Sequence, residues 1–492
     1  MRASHISFLV ALLLAAPLAG AAPKGHIIPS LLPDANQSAM INRQYGMFIH
    51  FGINTFSGQE WTDGTLKPET YNPTKLDTDQ WVKAARDAGM TYVILITKHH
   101  DGFCLWDSSH TSYDVASSPV KTDVVKAMAA SCKKFGIKLG LYYSLWDRNW
   151  NNGVMRGMKG DLTPEQGDAY VEYMEKQLTE LLSNYGEVCE LWLDGGWILP
   201  REDWQIDRVY THVKKLQPGC LMGVNWNISQ FDNPDFHPVK PDMYRVGQPI
   251  RYYPSDFRLG DPMLPEFPDV KHFTGPGGQL HYLPFETTVC LNNQWFWHPG
   301  DMGLRTVDEL LPLFERATAQ DNVLILNSPP NRDGVMEQRN VDRLGEFAAA
   351  LGAHPGKRVP LNVAESAMAY SDSVYTKDPG DWSAAMAIDG NPATRWASAG
   401  ISPAITLQWG SPVAIDFLRV REYENRIEEF VVEGVVDGKW KTLARGTTIG
   451  ANRIISFPTT TTTALRLKII KAGNFPSLWQ LSAGQRASRT KG

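Results

Sequence analysis

Five times between Asp77 and Asn327 an amphipathic stretch of helix length gives way to a short run that is apolar almost throughout. Residues 77–88 lead to Tyr92–Thr97, 124–135 to Lys138–Tyr143, 165–185 to Val188–Leu193, 204–216 to Cys220–Asn225, and 306–319 to 322–327. In the first four pairs a glycine (Gly89, Gly136, Gly186, Gly219) stands where a helix C-cap belongs. A strand apolar at every position is buried on both faces, which is the mark of a parallel sheet covered by helices. With an earlier apolar run at Met47–Phe51, the pattern spans roughly 300 residues. That fits a closed (β/α) barrel of the TIM type better than an open doubly wound sheet.

The chain of 492 residues is longer than one core usually organises, and two folded domains are expected. The helical period stops after about Gly352. Short alternating strands follow, such as Ile405–Trp409, Phe417–Arg421 and Glu428–Glu433, separated by Thr- and Gly-rich turns. They predict a C-terminal β-sandwich over 353–492, behind a barrel over 23–352. Residues 1–22 read as a secretory signal: Arg2, an apolar run from Phe8 to Leu18, then small residues. A secreted or periplasmic protein is therefore expected, free of the membrane once the signal is removed.

Net charge is −5, which gives no reason to expect nucleic acid or an anionic membrane as partner. No phosphate-cradling glycine motif follows any predicted strand. The five cysteines include no CxxC pair, so they read as buried thiols rather than a metal cluster or a disulfide framework. The count of 16 tryptophans is high, and indole faces stack on the C–H faces of sugars. Asn36 and Asn227 begin glycosylation sequons.

Catalytic groups of parallel barrels sit at the C-terminal ends of the strands. Read only at those ends, this sequence offers His50, His99 with His100, Tyr143 with Ser144, Asp194, and Asn225 with Trp226. Asp194 closes the apolar run of 188–193 and is followed by two glycines, so the chain can turn sharply and a ligand can approach. A carboxylate there attacks an anomeric carbon or merely caps a turn. The histidines, with Asp194, are also allowed ligand types for a metal. Adjacent His99 and His100 point to opposite sides if the strand stays extended, which argues against both binding one ion.

Taken in order, FIHFG (48–52), EW (60–61), TKHHDGF (97–103), YYS (142–144), LWLDGG (191–196) and NVLILNSPPNRDG (322–334) resemble the α-L-fucosidases of glycoside hydrolase family 29. The resemblance runs from about Tyr45 to Arg332. It implies a barrel followed by a β-sandwich and retaining, exo-acting hydrolysis of terminal α-L-fucosides on glycans or xyloglucan, with no metal or other cofactor. By position it makes Asp194 the nucleophile. His50, Glu60, Trp61, His99, His100 and Tyr143 become the residues that hold the fucose hydroxyls, and Trp295 the aromatic beneath the sugar's methyl side. For the acid/base, SDFRLGDP (255–262) resembles the segment that carries it, favouring Asp256, with Asp261 and Glu286 as the other candidates.

The expected partner is a fucosylated oligosaccharide or glycoconjugate. Two other readings of the same residues are a catalytically lapsed fucose-binding lectin and a metallohydrolase using His50, His99, His100 and Asp194. The loop 387–396 resembles discoidin-like sugar-binding modules, although a sandwich in this place also packs against the barrel. Oligomeric state and linkage preference stay open.

Overall fold

The computed structural model describes residues 33–485, apart from 158–161, 232–237, 266–268, 319, 353–362, 365–366, 390–393 and 451–452. The signal-like stretch 1–22 lies outside the described residues, as does the middle of the loop 387–396.

The chain forms the expected (β/α) barrel followed by an antiparallel β-sandwich. Seven parallel strands make up the barrel sheet: β1 Tyr45–Ile49, β2 Tyr92–Lys98, β3 Lys138–Ser144, β4 Val188–Asp194, β5 Leu221–Val224, β6 Glu286–Cys290 and β7 Val323–Asn327. Their hydrogen-bonded order is β5-β4-β3-β2-β1-β7-β6. Helix α1 (Ala35–Arg43) precedes the barrel. Around it lie α2 (Thr78–Asp87), α3 (Val124–Phe135), α4 (Pro164–Asn184), α5 (Ile206–Leu216), α6 (Val307–Thr318) and α7 (Gln338–Leu351).

Local chemistry sets these boundaries. Asp77, Asp123 and Thr163 each accept a hydrogen bond from a first-turn amide of the helix they begin. Gly136 and Gly352 end α3 and α7 in the left-handed region. At Gly46 on β1, a Cβ would stand 2.5 Å from the Tyr92 ring, so only glycine lets these neighbouring strands meet.

The two edges of the sheet, β5 and β6, do not pair with each other. The segment 256–259 lies between them: Asp256 N donates to Met222 O, and Arg258 N to Pro284 O, while Glu286 N donates to Arg258 O. It closes the barrel as an irregular strand. Its side chains still alternate. Phe257 and Leu259 join the interior cluster of Phe48, Tyr92, Ile94, Tyr142 and Trp192, while Asp256 and Arg258 face outward. Asn227 ties this segment down by donating to Ser255 Oγ and Phe257 O. Its side chain is fully buried, so that sequon is closed to glycosylation in the folded chain.

Beneath the aromatic layer the barrel is plugged by charge. Arg43 pairs with Glu190 and lies over the Tyr92 ring, and the Tyr92 hydroxyl donates to Glu286 Oε2 at 3.3 Å. Glu286 also meets Glu190, so two carboxyls face one guanidinium, and burial with the Glu190 charge pushes the Glu286 pKa well above the ordinary range. Burial and the Glu190 charge thus favour the protonated form of Glu286.

In the C-terminal sandwich, the predicted strands at 405–409 and 417–421 are two halves of one 19-residue strand, Ala404–Glu422, with a register shift between Gln408 and Val413. Trp396, Trp409, Leu418, Phe430 and Leu467 fill its core. Arg419 is buried, and the barrel's Asp321 acts on its charge, which joins the two domains electrostatically.

The buried Glu286 makes stability depend on pH with a defined sign. Its folded pKa is raised, so its contribution is full below the ordinary glutamate value near 4.3 and is lost as pH rises from there through the raised pKa. Glu286→Gln keeps the hydrogen bonding and removes the titration. The thermal midpoint of the variant should therefore fall less between pH 5 and pH 9 than that of the native chain; parallel curves by scanning calorimetry would refute the raised Glu286 pKa.

Candidate active site

The strand ends open on a cavity of about 560 Å³. Phe48, Tyr142 and Trp192 line its floor, with the Tyr142 and Trp192 rings stacked 5.4 Å apart at 25°. His50, Glu60, Trp61, His99, His100, Asp194 and Trp295, singled out from the sequence, all line it.

Asp194 ends β4 and is held from three sides. Its Oδ1 accepts from Gly195 N at 2.8 Å and Asn225 Nδ2 at 3.0 Å, and its Oδ2 from the Tyr142 hydroxyl at 2.9 Å. Gly195 adopts φ +80°, and a Cβ there would lie 2.8 Å from Trp146 Cβ, so the turn requires glycine. Burial raises the Asp194 pKa, and the three donors pull against it. Donors aimed at a carboxylate favour its ionised form.

A second carboxyl shares this setting. Asn225 Nδ2 also donates to Asp261 Oδ1, so one amide nitrogen holds both acids. Two oxygens on one donor lie within roughly 6 Å of each other. The pKa of Asp261 is pushed up to about 7, first by burial and then by the charge of Asp194, against the Asn225 bond. Of the two groups, Asp261 therefore carries the proton.

The histidines are neutral acceptors. His50 Nδ1 lies 2.7 Å from Asn327 Oδ1, and Asn327 gives its own amide hydrogen to the Trp295 carbonyl. The network thus assigns the hydrogen to Nδ1 of His50 and a lone pair to Nε2. His100 Nδ1 lies 2.7 Å from Ser144 Oγ, which donates to the Trp146 carbonyl, so the same assignment follows. Burial lowers both imidazole pKa values to about 3. At 3.6 Å the His100 Nε2 and Asp194 Oδ2 are two facing acceptors, and a ligand hydroxyl can donate its hydrogen to one of them. Nδ1 of His99 has no partner among the described residues. Glu60 accepts from Trp295 N at 2.9 Å and Phe296 N at 3.4 Å; burial raises its pKa to about 7. The cavity thus offers hydroxyl-sized acceptors, indole faces and an acid beside a carboxylate, which is the equipment for binding and cleaving a sugar.

Several expectations are corrected here. Tyr143 does not face the cavity; it accepts from Lys98 Nζ and donates to Gln177 behind β3. Its neighbour Tyr142 faces inward, because successive strand residues alternate. Asp256 is likewise outward, bound to the Tyr210 hydroxyl, the Met222 amide and Lys214. The same alternation that turns Phe257 and Leu259 inward also suits Asp261. Glu286 lies in the plug below the floor. His99 and His100 do not diverge: β2 ends at Lys98, and in the turn beyond it their rings lie 4.2 Å apart. Among the described residues no group of three or more His, Cys, Asp or Glu is arranged to hold a metal ion. Asn327, Trp192 and Trp197 were not singled out; Asn327 stood legibly at the end of its strand.

The family model "Alpha-L-fucosidase" matches residues 34–354, and the model "F5/8 type C domain" matches 367–481. Alpha-L-fucosidase 1 of Arabidopsis thaliana is 30% identical over 451 residues, covering 88% of this chain and 83% of that protein. Among solved structures, SpGH29 aligns with a TM-score of 0.61 at 25% identity over 93% of this chain and 98% of that one. A Ruminococcus gnavus GH29 fucosidase, E1_10125, solved in complex with fucose, shares the fold with a TM-score of 0.61 at 24% identity, over 95% and 97% of the two chains.

The exchange of roles between adjacent tyrosines has a direct test. Tyr142→Phe deletes a hydrogen bond to an ionised group, a class of bond contributing about 1.5–3 kcal/mol. Turnover of a chromogenic glycoside should fall about 10- to 100-fold. The acid limb of its pH profile should move upward, since that bond lowers the Asp194 pKa. Tyr143→Phe should lower the thermal midpoint yet leave the acid limb where it was. The reverse outcome would return Tyr143 to the site.

Proposed function

The chain belongs to the α-L-fucosidase family, glycoside hydrolase family 29, and on that premise we propose a retaining double displacement with Asp194 as nucleophile and Asp261 as acid/base. The single observation that carries the reading is the shared Asn225 amide. Carboxyls about 5–5.5 Å apart belong to retaining glycosidases, whereas inverting enzymes keep them about 6.5–9.5 Å apart to admit a water. One donor spanning both acids supports the short separation.

Oδ1 of Asp194 is occupied by two donors, so Oδ2, with the Tyr142 hydroxyl alone, is the oxygen that attacks the anomeric carbon. As that bond forms, Asp261 gives its proton to the departing oxygen. Ester formation removes the charge on Asp194 that had raised the Asp261 pKa. Asp261, its pKa lowered and its proton already given away, then stands ionised and can take a proton from the water that attacks the fucosyl-enzyme. Its proton returns as Asp194 is released, and the cycle closes without net change in charge. The lone pairs on His50 and His100 serve the fucose hydroxyls, with His99 beside them and Trp295 against the sugar's apolar face. The substrates are terminal α-L-fucosides of glycans or xyloglucan, met outside the cytoplasm as the N-terminal residues suggest. The family assignment does not favour the lectin or metallohydrolase readings.

Asp194→Gly should abolish turnover of p-nitrophenyl α-L-fucoside while keeping fucose binding, and added azide should yield fucosyl azide of inverted configuration. Activity within tenfold of the native chain would sink the nucleophile assignment.

For the acid, Asp261→Asn should slow fucosides with sugar leaving groups by about 10²–10⁴-fold and nitrophenyl fucoside far less. The alkaline limb of kcat/KM, set by a group near 7, should disappear. Asp256→Asn should instead cost stability, because it unpairs Lys214. Should Glu60→Gln show the leaving-group dependence and Asp261→Asn not, the proton comes from Glu60.

A further inference from the structure

The cavity divides by exposure. Its floor residues, Phe48, His50, His99, Tyr142 and Trp192, are buried, whereas its outer wall is made by Trp61, Trp197, Trp226, Pro238 and Lys240. At about 560 Å³ it falls among sites that hold drug-sized ligands, larger than one monosaccharide. The outer wall therefore meets the group that leaves.

That wall has a specific chemistry. Trp61 is 43% exposed and lies near-parallel to Trp197, ring centres 6.3 Å apart at 22°. Trp226 holds a backbone φ of +59°, which a bulky residue rarely adopts and which functional sites often retain. Its place is fixed by its amide bond to Leu259 O. Beside these apolar faces stands one ammonium. Lys240 is exposed and makes no ion pair or side-chain hydrogen bond among the described residues. The backbone that carries it is anchored on both sides: Val239 N donates to Ile228 O and Met243 N to Lys240 O. An exposed cation on an anchored backbone, at the mouth of a cavity walled by indoles, is placed for a ligand.

We infer that the leaving-group side of the cavity favours fucosides whose leaving sugar bears an anionic substituent, a uronate carboxylate or a sulfate, held by Lys240 while its ring lies against the tryptophans. This deepens the hydrolase reading and rests on it. Lys240 is a specificity determinant here and takes no part in bond breaking.

The test compares kcat/KM at low salt on three substrates: p-nitrophenyl α-L-fucoside, a neutral fucosyl disaccharide, and the same disaccharide carrying a uronate or, in a parallel arm, a sulfate on the leaving sugar. An exposed ion pair is worth little, so the native chain should prefer a charged disaccharide by about two- to fivefold. The preference should shrink as salt shortens the screening length. Lys240→Ala should erase it and Lys240→Glu invert it, with Lys240→Arg retaining it and the aryl fucoside unaffected throughout. The two arms tell carboxylate from sulfate. Equal rates on neutral and charged disaccharides in the native chain, or a preference that survives Lys240→Ala, would overturn the inference. Failure of the native chain to cleave the aryl fucoside would instead overturn the hydrolase reading and take this inference with it.

Discussion

Two buried carboxyls on one amide donor cannot both be charged at little cost, and that constraint organises the cavity. Asn225 brings Asp194 and Asp261 together. Gly195 and Tyr142 add donors to Asp194 alone, so the ionised form gathers there and the proton gathers on Asp261. The proposed division of labour between nucleophile and acid would come from an unequal supply of hydrogen-bond donors, since the side chains are chemically the same. The barrel supplies the geometry: β4 and β5 end side by side, and the segment 256–259 closes the sheet so that Asp261 follows on the inner side.

The surrounding imidazoles are consistent with this economy of charge. A protonated histidine beside Asp194 would stabilise the ground-state carboxylate and blunt its attack. Here Ser144 and Asn327 fix the hydrogens on the far nitrogens, and burial keeps both rings neutral. What faces the ligand is a set of acceptors suited to hydroxyl donors. On the proposed mechanism, one arrangement would serve both the sugar and the nucleophile.

The fold was legible because burial on both faces leaves a plain trace in the sequence: Tyr92–Thr97 and Val188–Leu193 have no other use for so many consecutive apolar residues. The predicted helix limits agree with the observed ones to within two residues, since aspartate caps and terminal glycines act locally. The nucleophile candidate, the three histidines and Trp295 were likewise visible as strand-end or motif residues. Side-chain parity in irregular backbone was not. Tyr142 and Tyr143 are chemically identical neighbours, and one residue of register decides which meets Asp194. Asp256 and Asp261 pose the same problem in a segment that lacks strand periodicity, where only the hydrogen bonds to Met222 and Pro284 fix the facing. The turn of His99 and His100 escaped for a related reason: nothing in TKHHDG marks where extended backbone stops.

The charged plug of Arg43, Glu190 and Glu286 has a consequence for traffic. With the aromatic layer above it, the plug fills the barrel axis, so among the described residues the cavity is a blind alley that opens at the strand ends. Leaving group, incoming water and released fucose then share that mouth. The sugar deepest in the alley departs last. Free fucose therefore competes with fresh substrate for the same seat. A leaving sugar that lingers in the doorway also stands where water must arrive, so it is the natural competitor for the fucosyl group. On the proposed mechanism, how long the indoles hold that sugar would set the balance between hydrolysis and transfer.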